Sequence, residues 1–260
     1  MCKNRSLKTR LKKGETLYGI FFEELRSNYF SMFLENAGYD FGIIDLEHCH
    51  YSWVELGNML PCFHHSNVSA IVRVPEIRKE CFQIPMDLGV AGIMVPNVES
   101  AEEARRCVEW MSYPPRGKRG IATCRPHTRF INENFQQLCP QANDEKLLVI
   151  QIESRQGLEH LEEILAVEGI DVVFVGNADL SISMGVPNTL EAGSELRKAQ
   201  EKILQTAMQH GIVGGGNVGN PKIIRELQPL GMRLVTLLSD VEIFHKGLGD
   251  ALHTVKGGLA

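Results

Sequence analysis

The chain is 260 residues long, 43% hydrophobic and 23% charged, with a formal net charge of -5 at pH 7. That length suits one large α/β barrel or two small domains, and the composition is that of a globular protein able to bury a sizeable core. The acidic balance excludes the basic footprint of a nucleic-acid-binding domain, although local basic residues still allow a small anionic substrate.

The basic opening, MCKNRSLKTRLKKGE, leads into no apolar segment of signal-peptide type. The first β-rich run is LYGIFFE (17–23), followed by FGIIDLE (41–47), SAIVRVP (69–75) and AGIMVPNV (91–98). Ser100-Ala101-Glu102-Glu103 reads as a capping box before Ala104, Cys107, Val108 and Met111 at helical spacing. The stretch 112–145 is Pro- and Arg-rich, lacks apolar periodicity, and reads as a long loop after the fourth strand, where such loops tend to be functional. KLLVIQIES (146–154) is the fifth strand, and Leu158, Leu161, Ile164 and Leu165 form the next helical stripe. IDVVFVGNA (170–178) is the sixth, followed by the stripe Leu196, Ala199, Ile203, Ala207 and Met208, closed by Gly211 at C′. IVGGGNV (212–218), a helix start at Asn220-Pro221, and RLVTLLSD (233–240) complete the series.

Most of these runs are continuously apolar, as expected of strands covered on both faces. Eight strand–helix units predict a single-domain (β/α)8 TIM barrel over residues 1–260. The rival, an open doubly wound sheet, would carry G-x-G-x-x-G after its first strand, and no such motif is present there. No apolar run approaches the length of a membrane span. Cysteines at 2, 49, 62, 81, 107, 124 and 139 are odd in number and form no C-x-x-C pair. They favour a reducing compartment over a disulfide framework or thiolate zinc site, so a cytoplasmic protein is expected.

A barrel carries its chemistry at the C-terminal ends of its strands. The second run ends in Asp45, Glu47 and His48, and the third in Arg73. Asp87 precedes the fourth, which ends at Pro96-Asn97, and the fifth supplies Gln151 and Glu153. The sixth gives Asn177 and Asp179, the seventh Asn217 and the eighth Asp240. Glu153 and Asp179 end neighbouring strands, and two converging carboxylates repel unless a cation lies between them. Such a pair, completed by water and substrate oxygens, is how Mg2+ or Mn2+ is commonly held; the plainer alternative is that both cap helices. His48 is suited to proton transfer or to a strand-end hydrogen bond. Arg73, a charge inside an apolar strand, needs a partner: Asp45, Glu47 or a developing oxyanion. His48-Cys49-His50 also allows a zinc hydrolase, although such sites draw further histidines from later strands. The glycines at 214–216 are read as close packing or backbone approach rather than a phosphate site.

Together IIDLEH, VRVP, MDLGVAGIMVPNVESAEEA, YPPRGKRG, VIQIES and VEGIDVVFVGNADLS resemble, in consistent order over about residues 15–250, the HpcH/HpaI family of metal-dependent class II pyruvate aldolases. The resemblance implies a barrel of the phosphoenolpyruvate/pyruvate-domain type. It further implies a carbon–carbon lyase that cleaves a 4-hydroxy-2-keto acid to pyruvate, or a related 2-keto acid, plus an aldehyde, through a metal-stabilised enolate. By position, Glu153 and Asp179 are similar to the ligands of Mg2+, Mn2+ or Co2+. Gln151, Ala178 and Asp179 match positions that hold the substrate carboxylate, Arg73 the residue that steadies the enolate oxygen, and His48 the base. Asp45 and Glu47 fall in the surrounding hydrogen-bond network. Asp87 matches an aspartate that raises the basicity of this histidine from a neighbouring subunit. The family pattern also implies a homo-oligomer, a hexamer built as a trimer of dimers, with a C-terminal helix (about 241–260) exchanged between subunits. Other lyases of the same enolate chemistry, including citrate lyase β-like enzymes and decarboxylases, and a non-catalytic keto-acid-binding barrel are the alternatives. The sequence departs from the family at GNADLS, where Asn177 replaces a usual proline, and at FFEELRSNYF, IVGGGNVGN and LLSDVEIF. These departures lie where the substrate tail would be read.

Overall fold

A computed structural model describes residues 6–132 and 134–258. Eight parallel strands close into a barrel in sequence order: β1 (Leu17–Phe22), β2 (Phe41–Asp45), β3 (Ser69–Arg73), β4 (Gly92–Val95), β5 (Leu147–Ile152), β6 (Val172–Val175), β7 (Val213–Asn217) and β8 (Met232–Ser239). β8 pairs with β1, so the sheet has no free edge. The connections are helical: α1 (Leu7–Lys12), α2 (Phe30–Ala37), α3 (Trp53–His64), α4 (Lys79–Leu88), α5 (Ala101–Met111) and α6 (Phe135–Glu145) in the first half. α7 (Arg155–Glu159), α8 (Leu161–Leu165), α9 (Asn177–Met184), α10 (Glu195–Gln209), α11 (Pro221–Leu227) and α12 (Asp240–Gly258) follow in the second. This is the (β/α)8 TIM barrel that the alternation of patterns predicts.

Side chains two apart on a strand share a face, and this parity builds the site. Along β2 the interior file is Phe41, Ile43, Asp45; along β3 it is Ile71, Arg73; along β5 it is Leu147, Val149, Gln151. The apolar members of these files, with Phe21, Met94, Val172, Phe174 and Leu234, form one buried cluster inside the barrel. The opposite parity, including Ile44, Val72, Ile93, Ile150 and Val173, packs outward against the helices. The files of β2, β3 and β5 are therefore apolar at the N-terminal end and polar at the C-terminal mouth. Gly215 on β7 makes room for this filling, since a Cβ there would sit 2.8 Å from Phe174 and 2.9 Å from the Leu234 carbonyl oxygen.

The N-terminal end is closed by α1. The Ser6 hydroxyl accepts the Thr9 N–H at 3.2 Å, capping the helix. Leu7 and Leu11, one turn apart, join the interior cluster. Lys8 pairs with Asp171 at 2.8 Å.

Several expectations are revised. The stretch 112–145 follows α5 rather than β4 directly, so it lies at the N-terminal end of the barrel, away from the strand C-termini. It also contains α6, which buries no residue and so leaves no apolar stripe to read. The Ser100 box is half formed: its hydroxyl accepts the Glu103 N–H, but the Glu103 carboxylate takes the Glu99 N–H at 2.9 Å instead of closing the box. The reciprocal box is at Ser52 and Glu55. The stripe from Leu158 to Leu165 breaks at His160, which ends α7 and starts α8. Met208 is half exposed, whereas Leu196, Ile203 and Ala207 are buried. Gly211 has φ +70° after α10, and the Asn220 side chain caps α11, as expected.

Candidate active site

Asp45 is fully buried and binds Arg73 through two parallel contacts, from Nε at 2.8 Å and from Nη2 at 2.7 Å. Burial alone would raise the Asp45 carboxyl, but the Arg73 hydrogen bonds and charge bring it below the usual range. Arg73 also pairs with Glu47 through Nη1 at 3.2 Å and lies over the Phe21 ring at 5.0 Å. The two Asp45 bonds occupy two of the five N–H donors of a guanidinium. Both partners considered for Arg73 in the sequence are thus engaged, and the planar head is fixed at the rim of the cleft.

Glu153 lies one residue beyond β5 and is 4% exposed. Its oxygens accept the Asn97 main-chain N–H at 2.7 Å and the Gln151 side-chain amide at 2.9 Å. Burial pushes its carboxyl up to about 7; the Asn97 bond opposes this, and the Glu47 and Asp179 carboxylates add to it. Glu47 is raised too, chiefly by burial, with Arg73 pulling the other way. Gly176, which caps α9, leaves space for the carboxylate, because a Cβ there would lie 2.1 Å from Glu153 Oε2. Asp179 is the third residue of α9 rather than the end of β6, and it is exposed at the mouth. Gln151 Oε1 is buried without a partner.

Residue type and spacing assign Asn97 no role. It takes φ +51°, a left-handed conformation that Asn tolerates, and so turns its N–H onto Glu153 and its side-chain amide onto Glu47 at 3.3 Å. The Pro96-Asn97 pair at a strand end was the available signal. His48 follows β2 with its side chain 62% exposed, and its Nε2 is 3.7 Å from Glu47 Oε2, an ion-pair approach too long for a hydrogen bond. Asp87 sits in the last turn of α4, at the opposite end of the barrel from His48, and bonds Arg119 at 2.7 Å. Asp240 accepts the N–H groups of Glu23 (2.9 Å), Glu24 (3.3 Å), Leu25 (2.8 Å) and Val241 (2.8 Å).

The polar ends surround a cleft of about 660 Å3 lined by His48, Arg73, Gln151, Glu153, Ala178 and Asp179 among others. A buried carboxylate oriented by neutral donors, crowded by two further carboxylates, fits a divalent cation. Among the described residues no group of three or more His, Cys, Asp or Glu converges as a closed cage. His48 and His50 belong to no such group.

The fold has known relatives. The chain is 32% identical over 254 residues to 2-keto-3-deoxy-L-rhamnonate aldolase of Escherichia coli, covering 96% of this chain and 93% of that protein. The crystal structure of an HpcH/HpaI aldolase from Desulfitobacterium hafniense superposes with a TM-score of 0.91 at 28% identity, covering 97% of both chains. The citrate synthase SbnG superposes with a TM-score of 0.86 at 26% identity, covering 97% of this chain and 98% of that one. Among the described residues no helix is long and apolar enough to cross a membrane. The profile of the HpcH/HpaI aldolase/citrate lyase family matches residues 19–222, and the chain belongs to that family.

Proposed function

We propose that the protein is a divalent-metal-dependent aldolase that cleaves a 4-hydroxy-2-keto acid to pyruvate, or a related 2-keto acid, and an aldehyde. The observation that carries the reading is Glu153: a buried carboxylate held by Asn97 and Gln151, raised by burial and by Glu47 and Asp179. Glu153 and Asp179 would hold Mg2+, Mn2+ or Co2+, which when bound acts as a Lewis acid on the keto group. Gln151 and the main-chain N–H groups of Ala178 and Asp179, in the first turn of α9, orient the substrate carboxylate. His48 takes the C4 hydroxyl proton as the C3–C4 bond opens and returns a proton to C3 of the enolate. Arg73, fixed by Asp45, donates a remaining N–H to the growing negative charge on the 2-keto oxygen.

We further infer a homo-oligomer, a hexamer built as a trimer of dimers, with α12 exchanged between barrels. Val241, Phe244, Leu248, Leu252 and Val255 recur three or four residues apart along α12 and are all exposed, an apolar file suited to another barrel. A role for Asp87 in raising the basicity of His48 requires a neighbouring subunit, since the two lie at opposite ends of one barrel. A cytoplasmic setting is supported by the six described cysteines, all free thiols.

The test is exchange of pyruvate methyl protons in D2O, followed by NMR. Exchange with Mn2+ that stops on addition of EDTA is expected, and exchange that survives chelation would refute the metal-dependent reading. A lyase acting on another bond would retain the exchange but yield no aldol product with an aldehyde panel.

A further inference from the structure

The inward file of β1 runs Leu17, Gly19, Phe21 and ends, one residue past the strand, in Glu23. Glu23 lines the cleft and is half-buried; burial raises its carboxyl, the Ser239 side chain opposes this, and the Asp240 and Asp45 charges add to it. Its main-chain N–H is tied to Asp240 at 2.9 Å, so the carboxylate is presented from a fixed point. Nothing in the mechanism above uses this acid.

Around the barrel, β1 adjoins β8, then β7, then β6. On the far side of this arc the cleft is lined by neutral amides. Asn177 donates to the Asn217 carbonyl at 3.2 Å and accepts from the fully buried Gln200 at 3.3 Å. Asn217, with its amide turned to satisfy both of its ends, donates to the Thr236 and Leu237 carbonyls at 3.0 and 3.2 Å, which turns its oxygen away from the strand. The keto-acid end of the substrate belongs at β5 and β6, beside Gln151, Glu153 and Asp179. The cleft continues from there along this arc, past Asn177 and Asn217 to Glu23. Arg73, the cleft's guanidinium, is neutralised by Asp45 and Glu47. The arc therefore combines one fixed acid with amide donors and acceptors.

We propose that Glu23 is a specificity-determining residue that selects uncharged, hydroxyl-bearing aldehydes and rejects carboxylate-bearing ones. This assignment rests on the aldolase reading above. A carboxylate accepts hydroxyl hydrogens and repels a second carboxylate in the same partly dehydrated space, so one group supplies both the attraction and the exclusion.

The test compares aldol addition of pyruvate to glyceraldehyde and to succinic semialdehyde with Mn2+, in the wild type and in Glu23→Gln. The quantity read is the ratio of kcat/KM for the two aldehydes on the same preparation, which does not depend on the folded fraction. The wild type is expected to favour glyceraldehyde by about tenfold or more, and Glu23→Gln to shift the ratio toward succinic semialdehyde by about tenfold. Pyruvate exchange in the wild type, with a ratio that Glu23→Gln leaves unmoved, overturns this assignment and leaves the aldolase reading standing. Absence of wild-type exchange and addition with every metal overturns both.

Discussion

Glu153 at the mouth of the barrel is held in the opposite way from the acids at its floor. At the N-terminal end each acid faces a base: Lys8 pairs with Asp171 at 2.8 Å, Arg10 with Asp40 at 2.7 Å, and Arg119 with Asp87 at 2.7 Å. At the C-terminal mouth Glu153 is oriented by an N–H and an amide while two carboxylates crowd it. Paired charges hold a fold at modest net gain, whereas crowded like charges hold chemistry at a cost in stability. The same closed sheet thus carries a sealed floor and an electrostatically incomplete rim.

This contrast can be broken or sharpened by experiment. The largest effect is expected from Glu153→Ala: loss of metal-dependent ligand binding and a fall in kcat/KM of about a thousandfold, about 4 kcal/mol, with no loss of thermal stability in metal-free protein. Calorimetric titration with Mn2+ and pyruvate, beside a thermal melt, reads both; an unaltered titration would remove Glu153 from the site. At the floor the pattern inverts. Asp171→Ala leaves Lys8 buried and unpaired and should destabilise by about 3 kcal/mol in urea unfolding, while the folded protein keeps its turnover. Next comes His48→Ala, which should lower cleavage about a hundredfold yet spare pyruvate affinity; full activity in that variant would end its role as base.

The smallest effect is a pH dependence. The Glu153 carboxyl is raised to about 7 in metal-free protein, above its unfolded value, so the folded state holds a proton that the unfolded chain has lost. Its contribution makes metal-free stability fall as pH rises from about 4.5 to about 7. A cation displaces that proton, so Mn2+ affinity should climb up to about tenfold per pH unit below 7 and level off above it. A flat profile from pH 5 to 8 would contradict the burial of this acid.

How much of this was legible beforehand depends on range. Gln151 and Glu153 were readable because strand parity is local: two residues apart means one face. The strand order was readable from the continuous apolar runs. Asp179 falls about one helical turn beyond β6 because α9 begins at Asn177 with Gly176 as its cap, where a Cβ would collide with Glu153. The end of the barrel at which 112–145 lies is not legible in the sequence, because α5 reverses the chain before it starts and α6 lies on the surface with no apolar face to announce it. Asn97 is not legible in the sequence, since its contribution is a main-chain N–H aimed by a left-handed turn, which side-chain chemistry does not reveal. The pairing of Arg73 with both Asp45 and Glu47 was left open because the loop after β2, not the strand, sets where Glu47 points.

Asp240 has a further bearing on how the molecule can be cut. It opens the outward helix and, through its carboxylate, fastens the turn that follows the first strand. A truncation at residue 239 would untie that turn along with the helix, whereas one placed a few residues later would discard the same greasy surface and keep the knot. Two truncations differing by so little would separate what the tail does for assembly from what its root does for the catalytic rim.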